Sequence, residues 1–187
     1  MRVISGTCRG KKLVVPPGIT TRPTSDRVKE SLFSILISRI DFTDIRVLDI
    51  CAGTGSLGIE ALSRGAGSCC FIESNVAHKV ILEKNIQSTH FQAKSEIMNM
   101  DAVTALQRIA GRSQSYDLVF FDPPYNSDLY PPVLNLLGSP GLLTSGSFVV
   151  AECSVRNPLL ETYGTLKRFD RREYGETALE LFVLEEE

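Results

Sequence analysis

The chain has 187 residues, 43% of them hydrophobic and 22% charged, a balance that fits one globular domain and excludes a disordered or collagen-like polymer. Its net charge is −2, and no apolar run approaches the ~20 residues that cross a bilayer. Five cysteines without a CxxC pair, beside two histidines, argue against a zinc site or disulfide framework, so reduced thiols and no metal are expected.

The opening Met1-Arg2-Val3-Ile4-Ser5-Gly6 lacks the apolar stretch of a signal peptide, so a cytoplasmic protein with no membrane association is expected. Val3-Ile4 and Leu13-Val14-Val15 flank a turn rich in Gly and Lys/Arg and read as a small hairpin or extended arm. Pro16-Pro17-Gly18 ends it, and the stretch from about Pro16 to Thr21 is the one linker candidate. Arg22-Pro23-Thr24-Ser25-Asp26 then reads as a helix start, with Val28, Leu32, Ile35 and Leu36 forming one apolar face to about Ile40. Residues 1–40 hold eight Lys/Arg against Asp26 and Glu30, whereas the rest of the chain holds 12 basic against 20 acidic residues. A basic head (1–40) on an acidic body (41–187) points to an anionic partner docking at one end, the alternative being a solvated arm.

From Ile45 the rhythm changes. Strands are expected at Ile45–Ile50, Ser68–Glu73, Ile97–Met100, Tyr116–Phe121 and Ser147–Glu152. Helices are expected at Leu57–Arg64, Asn75–Ser88 (apolar at Val76, Val80 and Ile86), Ala102–Ala110 and Leu129–Leu137. This alternation predicts an α/β fold, a parallel sheet with helices on both faces. Leu166–Arg172 and Ala178–Leu184 are joined by too short a turn for a parallel crossover, so the sheet ends in an antiparallel hairpin.

Two segments carry chemistry. In Leu48-Asp49-Ile50-Cys51-Ala52-Gly53-Thr54-Gly55-Ser56-Leu57-Gly58, the glycines permit a tight turn and close approach of ligand and helix. The same G-x-G-x-x-G spacing occurs in dinucleotide-binding folds, but Asp49 beside the turn would repel a pyrophosphate and would suit a cationic amino group. S-adenosylmethionine, with an ammonium, a sulfonium and no phosphate, is such a ligand. Ala52, Gly53 and Gly55 would line it. Glu73 at the end of strand two would accept its ribose hydroxyls, and Asp101 its adenine amine beside the Ala102 N–H. The competing reading of Glu73 and Asp101 is ordinary helix capping.

The second segment is Asp122-Pro123-Pro124-Tyr125, directly after a strand. The prolines stiffen the backbone and remove donors, so carbonyls are left to accept. The Asp122 carboxylate and Pro123 carbonyl would hold the two hydrogens of an exocyclic amine and favour a pyramidal nitrogen, while Tyr125 stacks on the base. Asp122 or water would take the released proton.

These residues together resemble the RsmD family, bacterial 16S ribosomal RNA guanine-N2 methyltransferases. The likeness runs through Gly6-x-x-Arg9-Gly10-x-x-Leu13 and Thr21-Arg22-Pro23-Thr24-x-x-Arg27-Val28-Lys29-Glu30. It continues through the glycine turn to Gly65-Ala66, Asp122-Pro123-Pro124-Tyr125 and Tyr174-Gly175-x-Thr177. It implies a Rossmann-like class I methyltransferase, with a mostly parallel seven-stranded sheet, an antiparallel last strand and a small N-terminal hairpin and helix extension. It also implies S-adenosylmethionine as cofactor and methylation of guanine 966 in small-subunit RNA. The partner would be ribosomal RNA within the subunit or an assembly intermediate, bound by a monomer. Cys51 departs from the aromatic the family often carries there. Arg9, Lys11, Lys12, Arg22 and Arg27 are the candidate RNA contacts, although Arg27 could instead pair with Asp49 or Asp122. Lys167, Arg168, Arg171 and Arg172 are either a further RNA contact or a solvated face. DNA adenine or protein glutamine methylation, a nicotinamide-dependent oxidoreductase and a non-catalytic RNA-binding module are the alternatives.

Overall fold

The computed structural model describes residues 1–16, 26–112 and 114–184. Of the expected linker from about Pro16 to Thr21, all but Pro16 lies outside the described residues, as do the Arg22-Pro23-Thr24-Ser25 helix start and Arg22 itself.

After the N-terminal hairpin come α1 (Asp26–Ile37), β1 (Arg46–Ile50), α2 (Ser56–Ser63), β2 (Ser68–Ile72), α3 (Val76–Ser88), β3 (Ser95–Met98) and α4 (Ala102–Ala110). Then follow β4 (Tyr116–Phe121), α5 (Tyr130–Leu137), β5 (Leu143–Ser154), β6 (Thr162–Tyr163), β7 (Leu166–Tyr174) and β8 (Thr177–Leu184). The strands form one sheet in the order β3-β2-β1-β4-β5-β8-β7-β6. β1 to β5 run parallel to one another, and β8 runs antiparallel between β5 and β7. The expected seven strands and antiparallel last strand are present. The two-residue β6 extends the sheet and was too short to leave a sequence signal.

The strand order reverses between β1 and β4, the point at which α/β sheets open a crevice at their carboxyl ends. The sheet alternates side chains between two cores. Val119 and Phe121 join the α4–α5 side with Leu106, Ile109 and Val133, while Leu118 and Phe120 join the α1–α2–α3 side with Phe33, Ile59 and Leu82. Phe33 packs 5.6 Å from Phe120 and 5.7 Å from Phe42, ring centroid to ring centroid. Burying each such ring is worth roughly 1.5–3 kcal/mol. Val3 and Leu13 of the hairpin enter the same core as α1. Among the described residues no helix is long and apolar enough to cross a membrane.

Several boundaries differ from expectation. α1 stops at Ile37, where the Ser38 hydroxyl donates to the Ile35 carbonyl and competes with the next helical turn. β3 is Ser95–Met98 rather than Ile97–Met100, because its pairing with Cys69–Ile72 begins at Ser95. β5 begins at Leu143, well before Ser147. On α3, Val76 and Val80 face solvent, 65% and 43% exposed, and the helix buries Leu82, Asn85 and Ile86 instead.

Candidate functional site

The turn from β1 to α2 holds Cys51, Gly53 and Gly55 at φ of 61°, 55° and 77°. It is fastened to β2 by the Ala52 N–H, which donates to the Ile72 carbonyl at 3.0 Å. Gly55 combines its left-handed φ with a close approach: a Cβ there would lie 2.4 Å from Leu82 Cδ1. Gly58 sits where a Cβ would meet Phe71 Cε1 at 2.4 Å, so α2 lies against β2 at a distance that only glycine allows.

Asp49 is 2% exposed, and its Oδ2 accepts the Gly58 N–H at 2.9 Å. Burial, with the Glu73 charge adding, pushes its carboxyl up to about 7 against the pull of that hydrogen bond. Glu73, directly after β2, is also buried. Its Oε2 accepts the Gly53 N–H at 2.8 Å and its Oε1 the Asn75 N–H at 2.7 Å. Both acids thus bind the glycine turn itself. Cys51 lies among them, its thiol pushed up to about 12 by burial and then by the Glu73, Asp122 and Asp49 charges. The corner is electronegative.

Asp101 stands apart. β3 ends at Met98, and Asp101 is exposed, its carboxylate capping α4 through the Thr104 N–H at 2.9 Å. That hydrogen bond holds its carboxyl below the usual range. The structure therefore shows Asp101 as the N-cap of α4 and Ala102 as the buried first residue of that helix.

Asp122 follows β4 and is tied in by its own N–H, which donates to the Ile50 carbonyl at 3.3 Å. Its half-buried carboxyl is raised well above the ordinary value by burial, then by Glu152 and Asp49. Pro123 is buried and Pro124 exposed. Tyr125 is held by its hydroxyl, 3.0 Å from Glu152 Oε1 and 2.5 Å from Thr177 Oγ1. Beyond Tyr125 a cleft of about 590 Å³ opens between Asn126–Pro131 and Ser154–Leu160. Glu152 and Thr177 were missing from the residues read as functional. The signal for Glu152 was present, an acid at the end of a predicted strand on the same sheet edge as Asp49 and Glu73.

In the basic head, Arg9, Lys11, Lys12 and Arg27 are exposed. No ion pair joins Arg27 to Asp49 or Asp122 among the described residues. Lys29 belongs to the interior instead, with no exposed surface. The hairpin lies beside the glycine turn: Asn85 on α3 accepts the Val14 N–H at 2.7 Å and donates to the Thr54 carbonyl at 2.9 Å. At the other end of the sheet, Arg168 and Arg171 converge on the buried Glu180 at 2.7 and 3.1 Å, and Arg172 pairs with Asp170. Those three arginines have intramolecular partners. Among the described residues no three His, Cys, Asp or Glu side chains group as metal ligands would.

A family model described as Conserved hypothetical protein 95 matches residues 1–183. Ribosomal RNA small subunit methyltransferase D of Escherichia coli strain K12 is 35% identical over 185 residues, 99% of this chain and 90% of that protein. The solved structure of a hypothetical protein from Thermus thermophilus superposes with a TM-score of 0.83 at 28% identity, covering 97% of this chain and 98% of the other. A structure of the SAM-dependent methyltransferase from Agrobacterium tumefaciens shares the fold, with a TM-score of 0.61 at 15% identity over 84% of this chain and 62% of its own.

Proposed function

The chain belongs to the RsmD family, and on that premise we propose that it is an S-adenosylmethionine-dependent methyltransferase acting on the N2 amine of guanine 966 in small-subunit ribosomal RNA. The observation that carries the cofactor reading is the acid lining of the turn: buried Glu73 accepts the Gly53 N–H at 2.8 Å and buried Asp49 the Gly58 N–H at 2.9 Å. Carboxylates so placed repel a pyrophosphate and attract an ammonium or sulfonium, which favours S-adenosylmethionine over a nicotinamide dinucleotide. The residues therefore fit the cofactor. Asp49 sets the negative charge under the turn, and Gly53 and Gly55 bring backbone close to the ligand. Glu73 would accept the ribose hydroxyls with the lone pairs that its bonds to the Gly53 and Asn75 N–H groups leave open.

The cofactor supplies an electrophilic methyl group on a sulfonium. The chain supplies the position and charge of the nucleophile. The Asp122 carboxylate and the Pro123 carbonyl accept the two amine hydrogens, and Tyr125 forms the edge against which the base lies. Burial raises the Asp122 carboxyl well above its ordinary value, and a positive charge at the glycine turn would act in the opposite direction, toward the ionised form. The enzyme works in the cytoplasm as a monomer, and Arg9, Lys11, Lys12, Arg22 and Arg27 meet RNA phosphates.

Incubation with methyl-labelled cofactor and either naked 16S RNA or small ribosomal particles tests this directly. Label on the amine of one guanine is the expected result. Label on DNA or protein and none on either RNA substrate would overturn it.

A further inference from the structure

We propose that the cleft beyond Tyr125 is a second nucleotide subsite, which takes the base next to the methylated guanine in the RNA chain. The inference rests on the methyl-transfer reading and adds to it a site that selects the sequence around the target.

The cleft begins where the amine corner ends. Tyr125 follows Asp122 by three residues and lines a space of about 590 Å³, within the usual size of small-ligand sites, roughly 300–1,000 Å³. A base held at Asp122 is one link of a polymer, so the nucleotide joined to it lies beside that corner, and this cleft is the concavity there. Hydrogen bonds fix both of its walls. On one, the Ser127 N–H donates to the Pro124 carbonyl at 2.9 Å and the Leu129 N–H to the Ser127 hydroxyl at 3.2 Å. On the other, the Asn157 N–H donates to the Ser154 carbonyl at 3.0 Å, and Arg168 to the Leu159 carbonyl at 3.3 Å. Such walls need little ordering when a ligand enters.

The lining suits a base rather than a phosphate. Tyr125, Tyr130 and Tyr163 all border the cleft, and their hydroxyls are already engaged. The Tyr125 hydroxyl meets Thr177, that of Tyr130 donates to the Glu152 carbonyl at 3.0 Å, and that of Tyr163 accepts the Leu160 N–H at 3.1 Å. What remains for a ligand is ring carbon. Leu160 adds an apolar side chain left 66% exposed on a fixed backbone. Unstacked RNA bases lie on flat apolar surfaces of this kind and are read at their edges by hydrogen bonds. Asn126 and Asn157 supply those bonds from opposite walls. Among the described residues neither side-chain amide has a partner, and each offers both donors and an acceptor. Asp128, exposed on the first wall, repels phosphate and accepts from exocyclic amines. The phosphate belongs outside, where Arg156 stands beside the lining with its side chain 81% exposed. Its pairing with Glu176 at 3.9 Å is between two exposed groups and holds it weakly.

The test is a cycle between protein and RNA, read by steady-state methyl transfer. The substrate is 16S RNA, naked or reconstituted into small particles, ligated from a synthetic segment that lacks the base on one side of the target guanine or on the other. For the wild type, loss of the base on one of the two sides should raise KM about tenfold, the order of one stacked base, with kcat unchanged. The Asn157→Ala/Leu160→Ala double variant should show a similarly raised KM on intact RNA and almost no further change when that base is missing. Both side chains are exposed, so its unfolding midpoint and its calorimetric affinity for S-adenosylmethionine should match the wild type. A wild type indifferent to the base on either side would overturn the subsite, and this arm does not depend on how the variant folds. The same penalty in wild type and variant would overturn it as well, since the loss would then arise within the RNA. Either result, with the guanine still methylated, leaves the methyl-transfer reading standing. A wild type that labels no RNA, or labels DNA or protein instead, would overturn that reading and the subsite with it.

Discussion

The Lys29 ammonium lies 3.4 Å from the Glu60 carboxylate, and neither side chain reaches solvent. Lys29 also donates to the Arg2 carbonyl at 2.6 Å and to the Ser56 hydroxyl at 3.2 Å. Glu60 accepts the Ile4 N–H at 2.8 Å, the Ser5 N–H at 3.0 Å and Arg64 Nε at 2.8 Å. One buried ion pair thus ties the N-terminal hairpin and α1 to the first turn of α2, where the glycine turn ends.

Burial lowers the Lys29 pKa and Glu60 raises it, so the charge depends on its partner. Removing that partner leaves an uncompensated buried cation. Glu60→Gln should cost on the order of 3–5 kcal/mol, and adding Lys29→Met should recover part of the loss, because a well-packed apolar replacement does without both charges. Urea denaturation of the single and double variants measures this. A single variant as stable as the wild type would show that the pair contributes nothing.

Gly58→Ala should destabilise by about 1–3 kcal/mol, because the new methyl meets Phe71 Cε1 at 2.4 Å and Cys69 Sγ at 2.6 Å. Both neighbours are buried and cannot swing aside. Gly111→Ala serves as the comparison, since its nearest neighbour is 3.5 Å away, an ordinary van der Waals distance. Equal unfolding midpoints for the two variants would contradict the close approach of α2 to β2.

Asp49 links stability to pH. An ordinary aspartate loses its proton near 3.8, whereas folded Asp49 keeps it to about 7. Between those values the folded state binds more protons than the unfolded one, so stability falls as pH rises through that window and levels off above it. The displacement corresponds to ~4 kcal/mol. Asp49→Asn keeps an acceptor for the Gly58 N–H but cannot ionise. It should flatten the decline between pH 4 and 7, apart from the part that belongs to Asp122, and should be more stable than the wild type at pH 8. It should also bind S-adenosylmethionine more weakly, since the charge that strains the fold is the one that attracts the ligand. Unfolding at pH 5 and 8, with calorimetric titration of the cofactor, decides this. A variant with the wild-type pH slope would remove Asp49 as its source.

What was legible in the sequence follows from this chemistry. The glycine turn and the Asp122-Pro123-Pro124-Tyr125 segment were visible because Gly and Pro act on the backbone where they stand. Lys29 was not. It sits beside Val28 in an amphipathic helix and reads as one more charge of the basic head until Glu60 is folded against it. Arg168 and Arg171 misled for the same reason, since Glu180 lies within an otherwise apolar strand. The apolar positions Val76, Val80 and Ile86 did not show which face of α3 is buried, because a polar residue, Asn85, takes an interior position while Val76 and Val80 face solvent. Its amide is satisfied there, with Val14 and Thr54 as partners.

The hairpin offers the last prediction. Arg9, Lys11 and Lys12 project from it into solvent, while Val3 and Leu13 are buried beneath. Deleting the first 20 residues would strip Val3 and Leu13 from the core and Ile4 and Ser5 from Glu60, so any drop in RNA binding would be confounded with unfolding. Replacing Arg9, Lys11 and Lys12 together by Gln removes the charges and leaves the core intact. Every phosphate no longer neutralised lowers the slope of log affinity against log salt by about 0.7 for single-stranded RNA, so removing all three cations lowers it by about 2. Affinity should fall most at low salt, with the unfolding midpoint unchanged. A salt slope equal to the wild type's would move the RNA-binding surface away from the hairpin to another face of the molecule.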